Sequence, residues 1–297
     1  MARRTWRRLT LEARASEAGA AGALLGGVAG GRLAVEQREG DSKFAASAYV
    51  PNEHASRALS ELRAALRALQ RDGILRTAVL RHALLRDEDW SQTWKRHFRP
   101  FRAAKELDVV PSWEAKNRPR GAQVLLLDPG MAFGTGQHAT TRLALALQLE
   151  LVKPRAVLID AGSGSGILGI AAAMRGASVY AFDEDPLAVA AGRRNFKRNR
   201  VQATIARADR IPRAFPKADI IVANLTGELL QSLAAHLAAH LKHGGHLVTS
   251  GITARSRLAT LVAFSRAGLM FVEERRSGDW FAYVHAKVSS SRPRRRA

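Results

Sequence analysis

The stretch from Arg155 to Pro186 limits the fold of this chain more than any other part of the sequence. It opens with the apolar run Ala156 to Ile159, which predicts a strand buried on both faces of a parallel sheet. Asp160 and three alternating glycines follow, and then a predicted helix from Ser165 to Arg175 and a predicted strand from Ser178 to Phe182. This succession defines one unit of an α/β fold.

Two features of this unit predict an adenosine-type cofactor. Gly162, Gly164 and Gly166 let a ligand approach the backbone, and the amides that begin the following helix favour an anionic group. Asp183, at the tip of the second strand, supplies a carboxylate that can accept hydrogen bonds from both ribose hydroxyls. A glycine turn alone is a weak signal, but a turn flanked by Asp160 and Asp183 indicates a binding site.

The spacing of the glycines distinguishes two kinds of cofactor. In the dinucleotide fingerprint G-x-G-x-x-G, the third glycine allows close packing of the helix on the strand. In this chain the third glycine, Gly166, comes one residue earlier, which gives G-x-G-x-G. That pattern resembles the first motif of class I methyltransferases, and the resemblance implies S-adenosylmethionine as the cofactor.

Length and composition narrow the function classes. A chain of 297 residues can bury a sizeable core and favours two domains over one. The absence of cysteine excludes disulfides, thiolate metal sites and a cysteine nucleophile. The net charge of +21 is spread along the chain and permits contact with RNA or with an acidic protein, although arginine-covered helices alone would also produce it.

The amino terminus combines an arginine-rich start with an Ala/Gly-rich run over residues 18–31. Glu12, Glu17 and the glycines of the run argue against a signal or transit peptide. No continuous apolar stretch reaches the roughly 20 residues that a membrane span needs. We therefore expect a soluble, cytoplasmic protein without membrane contact.

Residues 1–85 predict a small ferredoxin-like α+β domain with the order β-α-β-β-α-β. The predicted strands lie near Thr5–Ala13, Arg32–Gln37, Phe44–Val50 and Ile74–Arg81, and the predicted helices near Ser16–Leu25 and from Asn52 to just before Gly73. Such a domain contains no evident chemistry, but its open sheet can recognise a substrate.

Residues 86–120 predict a connector. Its aromatic residues recur at helix-like intervals on both sides of Pro100, which favours an aromatic face packed against a domain over a base-stacking platform. Val109 to Trp113 predicts a strand, and residues 118–121 predict a turn into the next domain. The aromatic residues are Trp90, Trp94, Phe98 and Phe101.

Residues 121–288 predict a seven-stranded, Rossmann-like methyltransferase sheet, followed by a basic flexible tail over residues 289–297. A turn is predicted over residues 273–279. The further strands are predicted near Ala203–Arg207, Asp219–Ala223, His246–Ser250, Met270–Arg275 and Trp280–Val288, and the further helices near Pro186–Arg198, Gly227–Leu241 and Ala254–Ala267.

A second motif points to a particular family. Residues 128–138 read Asp-Pro-Gly-Met-Ala-Phe-Gly-Thr-Gly-Gln-His, a phrase far more specific than a glycine turn. Together with residues 160–166, 183–186 and 222–225, it resembles the PrmA-like methyltransferase family that modifies the eleventh protein of the large ribosomal subunit. The resemblance covers nearly the whole chain.

The resemblance implies four cofactor-binding residues. Thr141 would hydrogen-bond the methionine end of the cofactor, Gly162 would admit it to the backbone, and Asp183 would hold the ribose. Asn224 would bind the cofactor where the reacting groups meet, and would serve as the catalytic residue that orients the amine. Positioning of a neutral amine is the main requirement of methyl transfer, so no obligatory base is predicted.

Histidines are the remaining candidates for chemistry. His236 and His240 are four residues apart on a predicted helix, with His243 and His246 nearby, but the glutamate of the protease motif and a third ligand are missing. We therefore predict no metal site. His138, inside the specific motif, either caps a loop or faces the substrate.

The sequence thus predicts an S-adenosylmethionine-dependent protein methyltransferase that acts on lysine side chains, the N-terminal amine, or both, of a large-subunit ribosomal protein. The first alternative is an RNA methyltransferase, which the charge and the connector aromatics favour. Against it, Asn224 is followed by Leu-Thr-Gly rather than a Pro-Pro-aromatic clamp. The second alternative is a non-catalytic RNA-binding or assembly module that retains a nucleotide fold.

Overall fold

The computed structural model describes residues 5–29, 33–36, 43–86, 99–104, 106–117, 123–128, 136 and 138–288. The chain forms two compact units, Met1–His97 and Phe98–Ala297. Trp90, Trp94, Phe98, the predicted turn at 118–121 and the predicted tail at 289–297 lie outside the described residues.

In its described residues, the first unit is a four-stranded antiparallel sheet with two helices. Its strands are arranged in the order β2-β3-β1-β4, the interleaved order of a ferredoxin-like domain. The elements are β1 (Thr5–Arg14), α1 (Ala18–Ala29), β2 (Leu33–Glu36), β3 (Lys43–Pro51), α2 (Asn52–Arg71) and β4 (Val79–Arg86).

Apolar periodicity builds the core of this unit. On β1, Leu9 and Leu11 alternate with more exposed residues, and on α2, Leu59, Leu62 and Leu66 recur at helical spacing; all five are buried. Helix α1 buries Ala21 and Leu25 in the same core, and it runs to Ala29, past its predicted end at Leu25.

The predicted start of the fourth strand at Ile74 is wrong. The amides of Ile74 and Leu75 both donate to the carbonyl oxygen of Leu69, at 2.9 and 3.2 Å, so these residues complete the end of α2. Gly73 turns the chain there with a φ of +72°. Strand β4 therefore begins only at Val79.

The second unit contains a small three-stranded sheet, β5-β6-β7, with β5 antiparallel and β7 parallel to β6. The strand predicted at Val109–Trp113 ends at Pro111, and Trp113 lies in a short 3-10 helix. Phe101 belongs to β5 rather than to a helical face, and the Arg142 guanidinium lies 5.7 Å from its ring centroid. The strands are β5 (Phe101–Ala104), β6 (Leu107–Pro111) and β7 (Gln123–Leu127).

The larger sheet of this unit has seven strands in the order β10-β9-β8-β11-β12-β14-β13. The first five are parallel, and β14 is antiparallel to both of its neighbours. The strands are β8 (Val157–Ala161), β9 (Ser178–Asp183), β10 (Ala203–Arg207), β11 (Ala218–Asn224), β12 (Leu241–Thr253), β13 (Leu269–Ser277) and β14 (Trp280–Lys287).

Within the described ranges of the second unit, five helices accompany this sheet. The helix predicted at Pro186–Arg198 has these same bounds, because Asp185 caps its first turn through the Leu187 amide at 2.8 Å and Pro186 begins it. The helices are α3 (Ala139–Leu151), α4 (Ile167–Met174), α5 (Pro186–Arg198), α6 (Gly227–His240) and α7 (Ala254–Arg266).

The turn predicted over residues 273–279 is wrong for most of its length. Residues 273–277 pair with β14, and only Gly278 and Asp279 turn the chain. The charged side chains of this segment belong to an edge strand, where charge is common. Arg275, for example, contacts Glu150 at 2.6 Å and Glu273 at 2.7 Å. Among the described residues, no helix is long and apolar enough to cross a membrane.

Candidate cofactor and methyl-transfer site

The four residues implied by the resemblance line one cavity. Thr141, Gly162, Asp183 and Asn224 border a space of about 220 Å³ in the second unit. They come together because β8, β9 and β11 are parallel, so that the carboxyl ends of these strands meet at one edge of the sheet beside the first turn of α3. Their assignment to a cofactor stays a prediction.

The backbone of the glycine turn favours glycine at three positions. Gly162, Gly164 and Gly166 have φ values of +68°, +53° and +83°, a region that side chains other than glycine rarely adopt. A Cβ on Gly162 would also collide with Cδ2 of Leu225. The amides of Gly162 and Ser163 donate to the Phe182 carbonyl at 3.0 Å, so they hold the turn against β9.

Asp183 is positioned by backbone amides on both sides. Its Oδ2 accepts from the Gly164 amide at 2.8 Å, and its Oδ1 accepts from the Asp185 amide at 3.0 Å. Each carboxylate oxygen can accept a second hydrogen bond. The group is thus fixed in place and keeps the capacity to hold two hydroxyls.

Asn224 and Thr141 contact each other directly. The Asn224 amide nitrogen donates to Oγ1 of the buried Thr141 at 3.2 Å. This bond leaves the Asn224 oxygen as an acceptor and the Thr141 hydroxyl proton as a donor. The Leu225 carbonyl is close by, since a Cβ built on Gly251 would meet both that carbonyl oxygen and Oδ1 of Asn224.

His138 caps a helix. Its Nδ1 lies 2.8 Å from Oγ1 of Thr140 and accepts from the Thr140 amide at the start of α3. Its ring meets Trp280 edge-on, with the centroids 5.0 Å apart. Loss of water on this packed side lowers the pKa of His138, which favours the neutral ring that capping requires. The same helix turn is braced by Ser250, whose hydroxyl donates to the Thr140 carbonyl at 2.9 Å.

Asp160 supports the helix that follows the glycine turn. It is fully buried, and its Oδ2 accepts from the Gly169 amide in α4 at 2.8 Å. Burial raises the pKa of Asp160 to about 7, and the charge of nearby Asp183 acts in the same direction. Within the described ranges, its Oδ1 has no hydrogen-bond partner.

Three further polar residues line the cavity and were missed by sequence reasoning. Ser163 is buried, and its hydroxyl has no hydrogen-bond partner among the residues that the structure describes. Glu184 and Asp209 follow the carboxyl ends of β9 and β10. Asp209 could have been predicted, since β10 neighbours β9 in a parallel sheet; the Ser163 environment carries no sequence signal.

No metal centre is seen in the part of the chain that the structure covers. There, no three His, Cys, Asp or Glu side chains group as metal ligands would. His236 and His240 pack with their ring centroids 4.4 Å apart, and Nδ1 of His240 lies 2.8 Å from the His236 carbonyl oxygen. The two histidines thus contact each other in the last turns of α6.

The sheet order, the glycine turn and the carboxylate at the tip of the next strand together define a class I methyltransferase. Within that class, the chain belongs to the ribosomal protein L11 methyltransferase family, whose family model (PrmA) matches residues 17–288.

Comparison with individual relatives leads to the same family. The chain is 42% identical over 202 residues to a ribosomal protein L11 methyltransferase of Symbiobacterium thermophilum, covering 68% of this chain and 66% of the relative. It is 40% identical to that of Chloroflexus aurantiacus, with 68% and 70% covered. A crystal structure of the ribosomal protein L11 methylase of Lactobacillus delbrueckii subsp. bulgaricus has a TM-score of 0.60 and 31% identity, covering 64% of this chain and all of that one. The alignments to the Symbiobacterium and Chloroflexus relatives thus span about two thirds of those relatives' sequences.

Proposed function

We propose that this protein transfers methyl groups from S-adenosylmethionine to lysine side chains, to the N-terminal amine, or to both, of a large-subunit ribosomal protein. The observation that carries the proposal is the convergence of Thr141, Gly162, Asp183 and Asn224 on one cavity, in a chain of this family. A ribosomal substrate would be met in the cytoplasm.

The cavity wall fits the cofactor. Asp183 keeps a free acceptor on each oxygen for the ribose hydroxyls, and Asp209 supplies an acceptor for the adenine amine. Thr141 and the unpaired hydroxyl of Ser163 can donate to the methionine carboxylate. When bound, S-adenosylmethionine supplies a methyl group already activated by its sulfonium charge.

The remaining task of the protein is to present a neutral amine. A lysine amine has a reference pKa of about 10.4, so it must lose a proton before it can attack. Leu225, Leu229 and Leu233 give the cavity an apolar side, which disfavours the charged form. The Asn224 oxygen and the Leu225 carbonyl can accept the amine hydrogens and thereby aim its lone pair.

We assign substrate recognition to residues 1–85. Their sheet presents a polar hollow of about 580 Å³, with hydrogen-bonding groups on three adjacent strands. In it, Thr10 and Ser47 form a cross-strand hydrogen bond of 2.9 Å, and Arg81 pairs with Glu12 at 3.0 Å. This unit contains no cofactor motif, so a role in binding the protein substrate is the function left to it.

The test is a single reaction mixture with labelled S-adenosylmethionine, free large-subunit ribosomal proteins and ribosomal RNA. Portions are digested separately with protease and with ribonuclease. We expect protease, and not ribonuclease, to release the label. Release by ribonuclease alone would favour the RNA methyltransferase, which the charge of +21 supports. Absence of transfer despite binding of the cofactor would favour the non-catalytic module.

A further inference from the structure

The outer face of α5 and the edge strand β10 form an unusually basic surface. Residues 193–207 contain six basic side chains and no acidic one. Three of them, Arg193, Lys197 and Arg200, follow the spacing i, i+4, i+7 and share one face of the helix and its end. With Arg194 and Arg207 they are all exposed. We call these five residues the α5–β10 basic surface.

This charge is not neutralised within the described residues. Arg193 donates to the Ile205 carbonyl at 3.0 Å and Arg207 to the Glu184 carbonyl at 3.2 Å, but a carbonyl carries no net charge. None of the five residues makes an ion pair in the described part of the chain. The sixth basic residue, Arg198, differs because it pairs with Asp128 at 3.6 Å.

Arg200 occupies a position where glycine is the usual residue. Its φ is +58°, just after α5, while the Arg200 and Val201 amides bond back to Lys197 and Phe196. Helices commonly end in this left-handed conformation with glycine, because other side chains are strained there. The α5–β10 basic surface therefore includes an arginine, Arg200, in a backbone conformation that disfavours any residue other than glycine.

The surroundings fit a nucleic-acid backbone better than an acidic protein. Protein interfaces are usually centred on buried apolar side chains. Among the described residues, exposed large apolar side chains occur on β13, at Met270, Phe271 and Val272, and none lies between residues 186 and 217. Gln202 and Thr204, which are exposed beside the cations, are polar. A surface of cations and polar groups without aromatic residues matches phosphates rather than bases.

We propose that the α5–β10 basic surface binds the phosphate backbone of RNA without reading its sequence. This function is separate from methyl transfer, for which the acceptor remains a protein. Arg207 adjoins Ala208 and Asp209, which line the cofactor cavity, so bound RNA would lie near the rim of the site. A methyltransferase with this surface would be retained on ribosomal material.

The test is fluorescence anisotropy with a labelled, unstructured oligouridylate, titrated with the full-length protein at several salt concentrations. One variant carries Arg193→Gln, Arg194→Gln and Lys197→Gln. The matched control carries Arg63→Gln, Arg67→Gln and Arg71→Gln, which removes the same charge from an exposed stripe of α2. Helix α2 also carries Glu53 and Glu61, so its surface, unlike the α5–β10 basic surface, is not purely basic.

We expect the α5 variant to bind at least about tenfold more weakly at low salt. Its slope of log affinity against log salt should fall by about 2, because each lost phosphate contact on a single strand contributes about 0.7. The control should change affinity less than about twofold. Equal weakening by both variants, or none by the α5 variant, would overturn the proposal. Wild-type binding to polyglutamate as tight as to RNA would overturn it in favour of an acidic protein.

A second variant separates binding from folding. Arg200→Gly removes a cation and relieves the left-handed backbone, so we expect an unchanged or higher melting temperature together with RNA binding that is about threefold weaker. Unchanged RNA affinity in this variant would remove Arg200 from the surface. S-adenosylmethionine affinity, measured by calorimetry, should be the same in all of these proteins.

Discussion

The Asn224 side-chain amide donates a hydrogen bond to the Thr141 hydroxyl across 3.2 Å, although the two residues are 83 positions apart in the sequence. The bond joins the end of β11 to the first turn of α3. Because the nitrogen donates in this bond, the orientation of the Asn224 amide is fixed and its oxygen remains free to accept. In the proposed mechanism that oxygen aims the attacking amine, so the bond connects cofactor binding with catalysis.

Thr141→Val should therefore reduce kcat as well as cofactor affinity. Loss of one partner of a buried hydrogen bond costs about 1–3 kcal/mol, which corresponds to roughly fivefold to 150-fold in rate or affinity. Thr141→Ser retains the hydroxyl and is the matched control. Steady-state kinetics with the ribosomal protein would check this, and equal kcat for the Val and Ser variants would show that the hydrogen bond does not orient Asn224.

Asp183→Ala should weaken S-adenosylmethionine binding on the order of 1–3 kcal/mol, the range of hydrogen bonds to charged groups. Calorimetry gives the affinity, and circular dichroism shows whether the variant remains folded. Unchanged affinity in the folded variant would remove Asp183 from the site. NAD binding to the wild type as tight as or tighter than S-adenosylmethionine would overturn the cofactor assignment.

Gly162→Ala should lower the free energy of unfolding and also weaken cofactor binding. The new Cβ would collide with the Leu225 side chain in a backbone with a φ of +68°. Gly244→Ala is the matched control, because Gly244 has a φ of +76° with no atom within 4 Å of the new Cβ. Both variants carry the cost of positive φ, about 1–2 kcal/mol. Only Gly162→Ala adds the collision with Leu225, so urea unfolding should show that this variant is clearly the less stable of the two. Equal losses of unfolding free energy in the two variants would contradict the packing described for the turn.

The raised pKa of Asp160 predicts that the stability of the protein depends on pH. Its folded pKa of about 7 lies above the ordinary value of 3.8, so between these values the folded state binds more protons than the unfolded state. Stability contributed by the neutral carboxyl is therefore present below about pH 4 and is lost as the pH rises through 7. Relative to Asp160→Asn, which does not titrate, the wild type should lose unfolding free energy from pH 5 to pH 8. A constant difference between the two proteins would show that Asp160 is ionised throughout.

Local patterns predicted the parallel strands and the bounds of α5, because buried apolar runs and the cap at Asp185 leave a clear sequence signal. They failed at Ile74 and at residues 273–277. The apolar residue Ile74 indicated a strand, but its amide bonds to the end of α2. The charged residues 273–277 indicated a turn, but they belong to an edge strand. The prediction that Thr141 and Asn224 belong to the site came from the family resemblance. Local sequence could not reveal their contact, which depends on tertiary packing, nor the unpaired hydroxyl of Ser163.

The most direct test of the central claim is the intact mass of the free large-subunit ribosomal protein after incubation with this protein and S-adenosylmethionine. The wild type should add mass in whole methyl increments that map to lysine side chains or the N-terminal amine. Asn224→Ala should slow that addition by about tenfold or more while changing cofactor affinity far less, because the residue acts on the aligned amine. An unmodified ribosomal protein after incubation with folded, cofactor-binding wild type would contradict the account.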